Sequence, residues 1–147
     1  MAYRLDLRGP ALSVQTACST SLTALHLAVQ ALLGHECDVA LAGAATVEVP
    51  AGAGYRYVPG EVLSPDGVCR PFDAQAGGTV LTSGAGVLSL RRLEDALTDG
   101  DPVLAVVRGT ALNNDGNRKV SYYAPSIEGQ LDVVREAVAV SGVDPRS

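Results

Sequence analysis

The chain has 147 residues, 47% of them apolar and 18% charged, and a formal net charge of −5. One domain of about 100–200 residues that buries roughly 68–70% of its unfolded surface fits these values, and a disordered chain does not. A pI near 4.8 with no Trp and one Phe gives neither a basic field nor stacking groups for nucleic acid, and no apolar run reaches the roughly 18 residues of a membrane span.

Arg4, Asp6 and Arg8 interrupt the first residues, which argues against a secretory signal. Leu12 to Ala17 reads as a short strand. Cys18-Ser19-Thr20-Ser21 follows, and then Leu22 to Leu33, apolar on nearly every face, as expected of a helix buried in a larger protein. The Ser/Thr cluster supplies N-cap candidates and Gly34 a stop. Asp38 to Val49 is a continuous small and apolar run that suits a strand covered on both faces, as in parallel sheets. Strand, helix and strand make a βαβ unit with a right-handed crossover.

Residues 50–83 are irregular, punctuated by Pro and Gly, with a turn at Ser64-Pro65-Asp66-Gly67. Such a stretch inside a compact domain is usually functional or packed against something else. Gly86 to Leu90 reads as a strand, Leu93 to Leu97 as a short helix and Val103 to Leu112 as another strand. Asn113 to Pro125 is a polar loop. Ile127, Leu131, Val134 and Val138 follow helical spacing, with Ser126 as N-cap and Gly142 and Pro145 as the end.

The three cysteines are Cys18, Cys37 and Cys69. An odd count with no C-x-x-C pair, and only His26 and His35 to join them, does not fit a zinc site or a disulfide scaffold and suits a reducing cytoplasm. Cys18 lies where a strand turns into a helix, facing unpaired N–H groups and the positive end of the helix dipole. Both stabilise a thiolate, the form that attacks. The position equally suits a small cysteine that fills space. His26 lies eight residues on, about two turns or roughly 12 Å along the helix, too far to act as base. Asp66, Asp73, Glu94 and Asp95 suit turns and a helix surface better than acid/base work. Arg91-Arg92 reads as the solvated end of a strand, and Asn113-Asn114-Asp115-Gly116 as a turn.

Thr16-Ala17-Cys18-Ser19-Thr20-Ser21-Leu22, with Ala24-Leu25-His26-Leu27-Ala28, resembles the active-site segment of β-ketoacyl synthases, most closely the ketosynthase domain of modular type I polyketide synthases. Further matching blocks include Leu63-Ser64-Pro65-Asp66-Gly67, Phe72-Asp73-Ala74, Gly84-Ala85-Gly86-Val87, Arg92-Leu93-Glu94-Asp95-Ala96-Leu97 and Asn113-Asn114-Asp115-Gly116. The resemblance implies an α/β fold of the thiolase-like α-β-α-β-α sandwich type, of which the central part is present. Residues 1–98 would end its N-terminal half and residues 99–147 would start its C-terminal half.

It also implies a homodimer in the complete domain and an acyl carrier protein as partner. No bound cofactor is implied, because the substrates ride on the carrier's phosphopantetheine. Cys18 is then the nucleophile that takes the acyl group before decarboxylative condensation with a malonyl-type extender. The sequence departs from the family pattern at Gln15, where Asp is common, at Thr82-Ser83 and at Tyr122-Tyr123. Neither of the family's two catalytic histidine motifs lies within these residues, so this chain alone is expected not to condense. The alternatives are a non-catalytic remnant or dimerising partner, and a fatty-acid-type synthase. The isolated chain is expected to fold marginally, with exposed apolar surface.

Overall fold

The computed structural model describes every residue except 1, 51, 122, 123 and 147. The Tyr122-Tyr123 departure therefore lies outside the described residues. Two compact units form: one joins residues 1–43 to residues 87–147, and the other is residues 44–86.

In the first unit a 3-10 turn over Ala17–Ser19 leads into helix α1, Thr20–Leu33. The left-handed residue that ends this helix is His35 (φ 56°), while Gly34 stays right-handed at φ −77°. Strand β1, Val39–Thr46, pairs with β2, Gly84–Arg91, in a two-stranded sheet. Helix α2 spans Leu93–Asp99 and α3 Ile127–Ser141. Both end on a left-handed glycine, Gly100 and Gly142, a conformation that costs a residue without Cβ little. The Asp101 N–H closes the end of α2 by donating to Ala96 O at 2.8 Å.

Two expected strands do not form. Residues 12–17 and 103–112 join no ladder among the described residues. The βαβ unit is accordingly absent, and α1 is followed by β1 without a paired strand before it. A strand is held by its neighbours' backbone groups, and an apolar, β-branched sequence supplies the inclination without the partner.

Arg91 and Arg92 are not a solvated strand end. Arg91 pairs with Asp99 and with Asp101. Arg92 donates to Leu32 O at 3.0 Å and Cys37 O at 2.8 Å, and pairs with Asp38 at 2.5 Å and Asp95 at 2.6 Å. It thereby ties the end of α1 and the turn before β1 to the start of α2. Asp38 first, and Asp95 after it, hold this guanidinium above its ordinary value against the desolvation that opposes them.

The buried apolar side chains among the described residues are Leu32, Ala42 and Ala96. Leu22 and Leu33 of α1 stand 66% and 65% exposed, so this helix, with the composition of a buried one, is covered over only part of its surface. The core expected from length and composition is not closed by these residues.

In the second unit the turn at Ser64 is the most heavily hydrogen-bonded feature. Ser64 is 1% exposed. Its hydroxyl donates to Asp66 Oδ1 at 2.7 Å and accepts the Val68 N–H at 3.2 Å, and its carbonyl accepts the Tyr55 hydroxyl at 2.6 Å. Arg70 closes the turn on Asp66 at 2.8 Å.

Candidate active site

The site is built on the turn before α1. Ala17 has φ 54°, a left-handed conformation that strains a residue with a Cβ by about 1–2 kcal/mol. Strain of this kind persists only where the surroundings fix it, and here both sides of Ala17 are fixed. Its N–H donates to Gln15 Oε1 at 2.9 Å. Its carbonyl accepts the Thr20 N–H and, at 2.8 Å, the Thr20 hydroxyl. The Thr20 oxygen in turn accepts the Thr16 N–H at 3.0 Å, and Gln15 Oε1 lies 3.2 Å from it.

Ser19 sits at the N-cap of α1, yet its side chain caps nothing. Its hydroxyl donates back to Thr16 O at 2.9 Å, while Thr16 Oγ1 and Thr23 Oγ1 share a hydrogen bond at 3.0 Å. The hydroxyls of this segment hold the residues before the helix instead of its first N–H groups.

Cys18 follows the strained residue. It is exposed, and its thiol is free. Among the described residues the hydrogen bonds of the turn involve the N–H groups of Thr16, Ala17, Ser19 and Thr20, not that of Cys18. A free thiol and a free N–H thus stand together on one residue at a helix start. Sulfur and N–H placed so can attack a carbonyl carbon and receive the oxygen that becomes negative.

The other polar residues are engaged elsewhere. His26 Nδ1 and Thr110 Oγ1 share a hydrogen bond at 2.9 Å, and His35 lies beyond the end of α1. Cys37 is half-buried and gives its carbonyl to Arg92; Cys69 is exposed. Asp73 accepts the Gln75 N–H at 2.7 Å, and Asp95 pairs with Arg92. The loop of Asn113 and Asp115 anchors α3. Asn113 Nδ2 donates to Gly129 O at 2.7 Å, and Asp115 Oδ2 accepts the Ser126 N–H at 3.1 Å. Gln15 is the residue of the turn whose role the sequence does not reveal. A long amide three positions before a cysteine carries no helix or strand signal.

Solved ketosynthase structures share the fold of this chain. Ketosynthase twelve of the bacillaene polyketide synthase from Bacillus amyloliquefaciens superposes with a TM-score of 0.92 at 38% identity, covering 98% of this chain and 26% of that one. The oxazolomycin ketosynthase domain OzmH KS7 from Streptomyces albus JA3453 gives 0.84 at 38% identity, covering 98% and 26%. The fold is thus thiolase-like, in part.

Residues 1–96 match the β-ketoacyl synthase N-terminal domain and residues 104–147 the β-ketoacyl synthase C-terminal domain. The chain belongs to the β-ketoacyl synthase family. A phenolphthiocerol/phthiocerol polyketide synthase from Mycobacterium tuberculosis is 50% identical over 144 residues, which is 98% of this chain and 10% of that protein. Polyketide synthase GfsA from Streptomyces halstedii is 50% identical over 139 residues, 95% of this chain and 2% of that protein. The chain therefore spans a tenth or less of these curated relatives and about a quarter of the solved ketosynthase chains. Among the described residues no helix is long and apolar enough to cross a membrane.

Proposed function

We propose that this chain is the cysteine-bearing part of a polyketide synthase ketosynthase, with Cys18 as the acyl-accepting nucleophile. Residues 1–98 end its N-terminal half and residues 99–147 start its C-terminal half. The observation that carries the reading is the exposed thiol beside its own unengaged N–H, on a turn held strained by Gln15 and Thr20.

The Cys18 thiolate attacks the carbonyl carbon of an acyl thioester presented on the phosphopantetheine of an acyl carrier protein. A tetrahedral oxyanion forms and is received by the Cys18 N–H. The carbon–sulfur bond to phosphopantetheine then breaks, and that sulfur leaves with the proton given up by Cys18. In the condensation a malonyl-type extender loses carbon dioxide. The electron pair left on its α-carbon attacks the acyl carbonyl, and the Cys18 sulfur leaves. The second step needs histidines beside the thioester. His26 is held by Thr110 and His35 lies past the far end of α1, so neither serves that step, and what these residues supply is the acyl acceptor.

The test is intact-mass and peptide mapping after incubation with a short acyl thioester of phosphopantetheine. One acyl group on the peptide that contains Cys18, absent in Cys18→Ala, is the expected result. An adduct confined to Cys37 or Cys69 would overturn the assignment.

A further inference from the structure

We infer that Gln15 is a positioning residue for Cys18: its neutral side-chain carbonyl fixes the left-handed Ala17 and so aims the thiol, without placing a negative charge beside it. The inference rests on the reading of Cys18 as nucleophile. It starts from geometry. Gln15 Oε1 accepts the Ala17 N–H at 2.9 Å and lies 3.2 Å from the Thr20 hydroxyl, whose oxygen accepts the Thr16 N–H. One amide oxygen therefore reaches both the strained residue before the thiol and the first residue of α1. Without it, the N–H of Ala17 loses its acceptor, and the residue is free to relax to an ordinary right-handed or extended conformation. The Cys18 side chain would swing with it.

The choice of amide over carboxylate matters for charge. The side chains hydrogen-bonded within this turn are Gln15, Thr16, Ser19, Thr20 and Thr23, all uncharged. A carboxylate at position 15 would accept the same hydrogen bonds, and would also oppose a thiolate three residues away. Gln15 thus separates two properties that an acidic residue would couple: the geometry of the turn and the ionisation of its cysteine.

That separation is what the experiment reads, on the full chain. Alkylation of Cys18 by iodoacetamide is followed against pH for the wild type, Gln15→Glu and Gln15→Leu, with site assignment by peptide mapping. Acyl transfer to Cys18 is measured in parallel. Gln15→Glu is expected to keep the wild-type plateau rate while its alkylation midpoint moves up by about one pH unit. Gln15→Leu is expected to lose about 100-fold in acyl transfer at saturating thioester, with KM little changed, because the nucleophile is misplaced and not the binding surface. Rescue of the Leu loss by Glu at high pH separates positioning from a merely structural role. An unmoved alkylation midpoint in Gln15→Glu, or wild-type transfer by Gln15→Leu, overturns the inference. If the wild type takes no acyl group on Cys18 while Gln15→Leu still changes the plateau rate of Cys18 alkylation and Gln15→Glu keeps it, Gln15 positions the thiol and the acyl-acceptor reading alone falls.

Discussion

The starts of α1 and α3 both carry a serine at the N-cap, and only one of the two caps its helix. Ser126 is extended (ψ 122°) and 3% exposed, and its hydroxyl accepts the Gly129 N–H at 3.1 Å. Asp115 accepts its N–H, and Asn113 reaches Gly129 O. Ser19 has ψ 4° and turns its hydroxyl backwards to Thr16 O, leaving a 3-10 turn and a left-handed alanine ahead of the helix. A helix start that only has to end satisfies its own N–H groups. One that presents a side chain uses its hydroxyls to hold the residue before it, and the N–H of the presented residue stays open.

The packing of α3 is where this contrast is most exposed to failure. A Cβ built on Gly109 would lie 2.8 Å from both Ala137 O and Ser141 N, which are backbone atoms and do not swing aside. Gly109→Ala is expected to destabilise the chain by about 3 kcal/mol through overpacking, read as a lower urea midpoint. Wild-type stability in this variant would mean that α3 is loosely held, and that the contrast with α1 lies only in the caps.

The caps themselves are compared by one substitution made twice. Ser126→Ala removes a side-chain acceptor from a buried N–H and should cost about 1–2 kcal/mol. Ser19→Ala removes exposed hydroxyl bonds that cap nothing and should cost less than about 0.5 kcal/mol. Equal losses in urea unfolding would erase the distinction between the two serines.

The strain at Ala17 separates stability from chemistry. Ala17→Gly removes the Cβ that opposes φ 54°, but it also frees the unfolded chain, so the net change is expected to stay within about 1 kcal/mol. Acyl transfer to Cys18 is expected to slow, because a glycine leaves the left-handed turn easily. Transfer at the wild-type rate would show that Gln15 and Thr20 hold the turn without help from the rest of the backbone.

Several of these features are legible in the residues, for identifiable reasons. Ser126 and Gly142 are local signals and act where expected; the apolar spacing marks a helix that forms, with Ile127, Leu131 and Val134 of its stripe left exposed. The Ser/Thr cluster puts Cys18 at a helix start, and it stands there. The left-handed Ala17 is not legible, because nothing in an alanine announces positive φ; the hydrogen bonds from Gln15 and Thr20 impose it. Arg92 escapes a local reading because its partners Leu32, Cys37 and Asp38 lie 54 to 60 residues away. The strands expected at residues 12–17 and 103–112 fail for a related reason: pairing is a property of neighbours, and propensity does not supply them.

The smallest expected effect concerns the third serine, in the second unit. Ser64 serves a turn instead of a helix, and unlike Ser19 and Ser126 it donates its hydroxyl to a carboxylate, Asp66. The Ser64 hydroxyl first, then Arg70 and the Val68 N–H, hold the Asp66 carboxyl below its ordinary value of 3.8. A carboxyl depressed in the folded state contributes stability that is fully present above its ordinary value, and that fades as the pH falls through the lower folded value. The difference between the wild type and Asp66→Asn should therefore be constant from about pH 7 to pH 5 and close below about pH 4. It should be small at every pH, since the Asp66 side chain is 52% exposed and solvent screens its pair with Arg70. Urea midpoints of the two proteins at three pH values decide it. A gap that widens in acid would mean that protonated Asp66 serves the turn better than the carboxylate does, and that the Ser64 hydroxyl points away from it.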